Sequence, residues 1–303
     1  MSSDQREEEV DNHPLVDVPC ELGEFRVEKL LGEGGITCVY QATHRGDSRQ
    51  VALKILKPGR LEDGTEQQHI DETGWGHLES EFRIASQLEH PNVLRMMAYH
   101  TQPQPHLELE LFSPVTLHDF VTRDEEGENR IDELLPHFAQ YVEQMAAALM
   151  HLHAAGFVHG DVKPGNFLVN EQHQVKLIDY SYIKPIYIDG KFRRPRLESG
   201  TPAYMPPEQK MRWPLDQRTD IYALGRTLYV LAVGQLPLAE RRGMTMRQLA
   251  ETPTTPDAHR VNPIVTQAFA DLLMEMMEEV PVNRPASIAK VLEQFRGLQL
   301  FSA

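Results

Sequence analysis

The sequence predicts an α+β protein in two lobes, a small β-rich lobe with one helix followed by a larger helical lobe, with a cleft between them. Three observations carry this reading. Short β-branched or alternating runs fill residues 25–112, helical runs dominate from Thr116 onward, and 303 residues suit one large domain or two lobes sharing a cleft.

Phe25 to Leu30, Val39 to Ala42 and Val51 to Leu56 read as strands divided by turn residues, with Gly46-Asp47 as a hairpin signal. A polar insertion around Gly59 to Gly76 reads as a surface loop. Glu79 to Leu88 then sets Phe82, Ala85 and Leu88 on one face at helical spacing, and Pro91-Asn92 closes the helix. Val93 to Tyr99 and Leu107 to Leu111 are two further strands around the turn Gln102-Pro103-Gln104-Pro105. Leu135 to Ala155 is a long amphipathic helix stopped by Gly156, a residue that readily adopts the left-handed conformation. Phe167 to Val169 and Val175 to Ile178 bracket a polar turn as short strands. Helices resume at Thr219 to Val233, Ile264 to Met277 and Ser287 to Leu298. The expected division is an acidic, disordered leader over 1–24, the β-rich lobe over 25–112 and the helical lobe over 113–300.

Hydrophobic residues at 41% and charged residues at 25% match a soluble globular chain and exclude a disordered, collagen-like or disulfide-framework protein. The 45 acidic against 30 basic residues give a net charge of −15, which argues against nucleic acid or an anionic membrane as partner. Residues 1–24 hold eight of the acids against Arg6 alone, with neither the basic start nor the apolar stretch of a signal peptide. No run approaches a membrane span. With only Cys20 and Cys38, two reduced thiols in a cytoplasmic protein are expected. Nothing in the sequence fixes an oligomeric state.

Leu31-Gly32-Glu33-Gly34-Gly35-Ile36-Thr37-Cys38-Val39-Tyr40 lies between two expected strands. In isolation it is best read as a plain hairpin, since any tight turn needs glycines. Val51-Ala52-Leu53-Lys54 on the next strand gives it more meaning, because a lysine near a strand end can reach phosphates held beneath a glycine-rich flap. The strongest signal is His159-Gly160-Asp161-Val162-Lys163-Pro164-Gly165-Asn166, followed by Leu177-Ile178-Asp179-Tyr180-Ser181.

With these motifs in this order, and with Pro206-Pro207-Glu208, Asp220-Ile221-Tyr222-Ala223-Leu224-Gly225 and Asn283-Arg284-Pro285 after them, the chain resembles the protein-kinase family over about residues 25–300. It looks most like the eukaryotic-type (Hanks-type) Ser/Thr kinases, in the style of bacterial members. The resemblance implies the bilobal protein-kinase-like fold and ATP-dependent transfer of the γ-phosphoryl group to a Ser/Thr hydroxyl of a protein substrate, a reaction run mainly by positioning and charge neutralisation. Lys54 would contact the α- and β-phosphates, and Glu81 would pair with Lys54 while Glu79 points away. Asp161 would orient the acceptor hydroxyl and take its proton, and Lys163 would neutralise the transferring group. Asn166 and Asp179 would hold Mg²⁺, or Mn²⁺ in its place. Leu31, Gly32 and Gly34 would form the flap, while Val39, Ala52 and Leu168 would enclose the adenine. Backbone groups from Glu110 to Phe112 would bond its edge, with Leu109 at the gate. Glu208 and Arg284 would form a buried ion pair, and Asp220 would cap the catalytic loop. Lys163 and Gly200-Thr201-Pro202 resemble Ser/Thr rather than tyrosine kinases.

Four departures from the family pattern carry expectations. Thr37 stands for the third glycine of the flap and should stiffen it. Gly160 stands for the arginine that ordinarily receives an activation-segment phosphate, so that route of activation loses its receptor. Tyr180-Ser181 stands for Phe-Gly and should restrict flipping of Asp179, and the insertion sets Lys54 and Glu81 27 residues apart. None removes a group expected to touch ATP, metal or acceptor, which favours an active enzyme that needs no activation-loop phosphate. The alternative is a nucleotide-binding pseudokinase acting as scaffold or allosteric partner.

Other clusters are assigned bland roles. Lys191-Phe192-Arg193-Arg194-Pro195-Arg196 is either a solvated loop or a dock for the leader, an acidic substrate or a phosphate on Ser199. His151, His153 and His159 belong to the loop leading to Asp161 rather than to a zinc site. Met274, Met276 and Met277 read as helix packing, and Asp124, Glu125, Glu126 and Glu128 as a solvated acid run. Cys38, in the glycine loop, is the thiol to watch.

Overall fold

The computed structural model describes residues 21–57, 59–60, 66–67, 72–124, 127–186, 200–236 and 255–302, with backbone path only for 59–60, 66–67 and 72–77. The leader up to Cys20, part of the polar insertion, Glu125, Glu126, the basic island and Ser199 lie outside the described residues.

The first lobe opens with β1 (Glu21–Leu22), β2 (Phe25–Glu33), β3 (Thr37–His44) and β4 (Gln50–Leu56). A short ribbon of β5 (Gly59–Arg60) and β6 (Glu66–Gln67) leads to α1 (Glu72–Ala85), and β7 (Met96–His100) and β8 (His106–Glu110) complete the lobe. Six strands pair antiparallel in the order β1-β2-β3-β4-β8-β7. Leu22, counted with the leader in the sequence, is buried beside Phe25.

Strand β4 explains where the cleft lies. Every residue from Val51 to Leu56 is buried, so the strand reads as a continuous apolar run interrupted by Lys54. Successive side chains point to opposite faces. Ala52 and Leu56 join the large core, whereas Val51, Leu53 and Ile55 join a second core with Leu22, Phe25, Tyr40 and Ala42. Lys54 therefore shares the Ala52 face. The same alternation in β3 sends Cys38 into the second core and turns Val39 toward the cleft. This corrects the expectation for Cys38: its thiol is a buried packing group on the far face of the sheet.

Helix α1 begins seven residues before the expected start at Glu79, so the polar insertion ends in helix rather than loop. Gly74 and Gly76 conceal this, since glycine has the poorest helix propensity after proline. Strand β7 in turn starts three residues later than Val93. Val93 forms a parallel bridge with Leu177 and Leu94 N donates to Leu177 O at 2.9 Å, so the segment between α1 and β7 is tied to the second lobe instead.

The second lobe runs through α2 (Ile131–Leu134), α3 (Phe138–Ala154), the strands β9 (Phe157–Val158), β10 (Phe167–Val169), β11 (Val175–Leu177) and β12 (Lys184–Pro185), then α4 (Pro207–Lys210), α5 (Gln217–Val233), α6 (Ala258–Val261), α7 (Gln267–Met276) and α8 (Ile288–Phe295). A 3₁₀ turn over Leu135–His137 with Pro136 in its first turn delays α3 to Phe138. Gly156, at φ +86°, follows that helix as expected. Helix α5 is buried on all sides from Thr219 to Ala232, the signature of a core helix rather than an amphipathic one. Asp216 caps its start by accepting from Arg218 N, and Gly234, at φ +81°, ends it. Thr266 and Ser287 cap α7 and α8, which fixes their starts at Gln267 and Ile288. No helix among the described residues is long and apolar enough to cross a membrane. One continuous core links β4 and β8 through α3 and α5 to α7 and α8, and the cleft opens where the sheet meets the β10–β11 hairpin.

Candidate active site

The cleft has a volume of about 370 Å³ and is mostly apolar, within the size range of small-ligand sites. Its roof is Leu31, Gly32, Gly34, Thr37 and Val39, its back wall Ala52 and Leu109, and its floor Leu168. Glu110 and Phe112 lie along its edge. The Glu110 carboxylate faces elsewhere, accepting from Arg95 N at 2.7 Å and Lys176 Nζ at 2.6 Å, so it anchors the segment joining the lobes. The flap is held by bonds that do not involve the Thr37 side chain. Gly34 N donates to Thr37 O at 2.8 Å, Lys57 N donates to Ile36 O at 2.9 Å, and Lys57 pairs with Glu33.

Behind the flap, Lys54 Nζ donates to both Glu81 carboxylate oxygens at 2.8 and 2.9 Å and to Asp179 Oδ1 at 3.0 Å. Glu81 is buried and Glu79 is exposed, the division expected from their spacing. Burial by itself would favour the neutral amine of Lys54. The facing carboxylates of Glu81 and Asp179 reverse this and hold its pKa above the ordinary lysine value. Asp179 is the mirror case: desolvation opposes its charge, but Lys54 and the Ser181 hydroxyl hold its pKa well below the usual carboxylate range. Its backbone, at φ +62°, is in the left-handed region, which turns the carboxylate into the cleft.

The catalytic-loop candidates lie between β9 and β10 and are held from below by α5. Asp220 is fully buried and accepts from His159 N at 2.8 Å, Gly160 N at 2.9 Å and His153 Nε2 at 2.8 Å. Burial works against its charge, and the His153 bond outweighs that, so its pKa is lowered. Asp161 accepts from Thr201 N at 2.6 Å through Oδ1, and from Lys163 Nζ at 2.7 Å and Asn166 Nδ2 at 3.1 Å through Oδ2. Lys163 also donates to Thr201 Oγ1 at 2.7 Å. His159 Nε2 lies 3.1 Å from Ile178 O, and no three His, Cys, Asp or Glu among the described residues are grouped to hold a metal.

Gly160 sits where a side chain would be crowded. Its φ is +77°, and a Cβ there would lie 3.0 Å from Tyr182 O, while Gln209 Nε2 donates to its carbonyl at 2.7 Å. The activation segment thus packs directly against the loop, and β12 pairs with β9 just beyond. Gly160→Ala is expected to cost about 1–2 kcal/mol from the left-handed backbone alone, read as a shift in the urea midpoint at unchanged slope.

Asp179 Oδ2 makes no hydrogen bond among the described residues, and Asn166 uses its amide nitrogen on Asp161, which leaves its carbonyl oxygen. One carboxylate and one amide oxygen are hard ligands of the kind Mg²⁺ and Mn²⁺ take, with nucleotide phosphates and water completing the shell. All fourteen residues singled out from the sequence for catalysis, nucleotide or metal line this cleft or bond to groups that do. Two more belong with them. Thr201 was legible only as part of a Gly-Thr-Pro marker, and Ser181 only as the absence of a glycine, although Ser181 Oγ lies 3.1 Å from Lys54 Nζ and donates to Asp179 Oδ1 at 2.6 Å.

The family model described as protein kinase domain matches residues 25–295. The chain is 32% identical over 275 residues to the serine/threonine-protein kinase pkn3 of Myxococcus xanthus, covering 87% of this chain and 48% of that protein. It is 28% identical over 279 residues to the DNA damage-responsive serine/threonine-protein kinase RqkA of Deinococcus radiodurans, covering 90% and 39%. It is also 29% identical over 274 residues to the serine/threonine-protein kinase Aurora-1 of Arabidopsis thaliana, covering 90% and 85%. The chain spans about half the length, or less, of the two bacterial relatives.

Proposed function

The chain belongs to the protein kinase family, and from that premise we propose that it transfers the γ-phosphoryl group of ATP to a Ser/Thr hydroxyl of a protein substrate and needs no activation-loop phosphate to do so. One observation carries the reading: the Lys54–Glu81 pair and the Asp161–Lys163–Thr201 set are both closed in the same structure. Lys54, fixed by Glu81, contacts the α- and β-phosphates beneath the flap, and backbone groups between Glu110 and Phe112 take the adenine edge. Asn166 and Asp179 would hold a divalent cation, which would neutralise the phosphate charge when bound. Asp161, held at both oxygens, orients the acceptor hydroxyl and receives its proton, and Lys163 balances the charge of the transferring group. The Lys163–Thr201 bond supports a Ser/Thr acceptor.

Independence from phosphate rests on Gly160. The arginine that would bind such a phosphate is missing, and its place beside the loop is filled by the Tyr182 backbone and the Gln209 amide. A phosphatase-treated preparation assayed with γ-labelled ATP, Mg²⁺ and a generic basic acceptor protein is expected to transfer label at the untreated rate, with Lys54→Met and Asp161→Asn at background. Loss of transfer on phosphatase treatment would refute the independence, and wild type at the Asp161→Asn background would favour a nucleotide-binding scaffold.

A further inference from the structure

Ser181 occupies the position at which the family pattern has its hinge glycine, yet its side chain is the fourth member of the Lys54 network. The three hydrogens of the Lys54 ammonium meet four acceptors: two oxygens of Glu81 at 2.8 and 2.9 Å, Asp179 Oδ1 at 3.0 Å and Ser181 Oγ at 3.1 Å. One ammonium thus faces two carboxylates, a set with one uncompensated negative charge. Ser181 supplies the missing donor. Its hydroxyl lies 2.6 Å from Asp179 Oδ1, in the range of a charge-assisted O–H···O⁻ bond, and 3.3 Å from Glu81 Oε2. Its neighbour Tyr180 adds a backbone donor to Glu81 Oε1 at 3.2 Å, while the Tyr180 hydroxyl donates to Leu177 O at 2.7 Å inside the core.

We propose that Ser181 is a positioning residue: its hydroxyl, together with Lys54, fixes Asp179 by Oδ1 in the inward orientation and thereby presents Oδ2 to the cation. This rests on the kinase reading but concerns binding rather than transfer. A glycine at 181 offers no such donor and adds backbone freedom next to Asp179. A single hydroxyl therefore does two things, donating to the second carboxylate and holding the rotamer, and both belong to the side chain rather than to the fold of the segment.

The experiment measures binding of a fluorescent ATP analogue to the full chain as Mg²⁺ is titrated, for wild type, Ser181→Ala, Ser181→Gly and Ser181→Thr. Losing a charge-assisted bond at the carboxylate is expected to raise the Mg²⁺ concentration at half-saturation about tenfold in the alanine and glycine variants. The threonine variant, which keeps the hydroxyl, returns the Mg²⁺ requirement toward wild type. A second readout is affinity for an inhibitor that binds only with Asp179 turned out of the cleft, which should rise in the alanine and glycine variants and not in the threonine variant. An alanine variant with the wild-type Mg²⁺ requirement, or a threonine variant that behaves like alanine, overturns the proposal. A chain that binds nucleotide and metal in this pattern but transfers no phosphate would instead count against the kinase reading alone.

Discussion

Asp161→Asn is expected to lower kcat for phosphoryl transfer by about 10³-fold while leaving the dissociation constant for nucleotide within about threefold of wild type. The split follows from what each oxygen of Asp161 touches. Its partners are the Thr201 N–H on one side and the Lys163 ammonium and Asn166 amide on the other, all of them donors. An asparagine must turn its own NH₂ toward one of these donor sets, so it loses the proton acceptor and also faces a donor with a donor. The groups around Lys54 stand apart from this and keep their geometry, since Glu81 and Asp179 make no bond to Asp161. Rapid-quench transfer kinetics and equilibrium nucleotide binding measure the two halves separately. A variant with near-wild-type kcat would remove Asp161 from the chemistry. A variant that loses nucleotide binding as strongly as kcat would mean that the loop, rather than the proton acceptor, had failed.

The main strands and helices, and the order of the site motifs, were legible because the decisive signals are local. The alternation of β3 and β4 and the stop at Gly156 each depend on residues a few positions apart. What escaped depends on tertiary placement. Gly74 and Gly76 argue against helix in isolation, yet α1 runs through them. Val93 and Leu94 have strand composition, but the bonds around them go to Leu177: Leu177 N donates to Asn92 O and Leu94 N donates to Leu177 O, 85 and 83 residues apart. Cys38 looked accessible because it lies in a glycine loop, and only the pleat of β3 against its neighbours decides that the thiol faces the second core. Ser181 is the sharpest case. By comparison with a glycine it signals stiffness, and nothing in its neighbours reveals that its hydroxyl reaches Lys54, 127 residues earlier in the chain.

The second large effect is on stability. Arg284→Ala is expected to cost about 3–5 kcal/mol, and Glu208→Ala somewhat less, by urea unfolding. Arg284 uses all five of its donors: Nη1 and Nη2 bond Glu208 at 2.6 and 2.9 Å, and the remaining hydrogens reach Arg218 O at 2.9 Å, Glu278 O at 2.7 Å and Glu279 O at 3.1 Å. Its guanidinium also lies 4.8 Å from the centre of the Tyr222 ring. Removing Glu208 leaves a cation still solvated by three carbonyls, whereas removing Arg284 leaves a buried carboxylate with, among the described residues, only the Thr219 hydroxyl at 3.3 Å. That asymmetry sets the order of the two variants. It also predicts that Arg284→Lys fails to rescue, because three donors on a flexible stem cannot span four acceptor residues held by a planar fork. Replacing both partners with apolar residues, often neutral for an isolated buried pair, should stay destabilising here, since the three carbonyls remain without donors. Helix α4 carries both Glu208 and Gln209, and Gln209 holds the Gly160 carbonyl in the catalytic loop. The Arg284 variants should therefore lose transfer activity at denaturant concentrations below their unfolding transition. Activity and global unfolding that fall together in Arg284→Ala would show that the ion pair stabilises the lobe without positioning the loop.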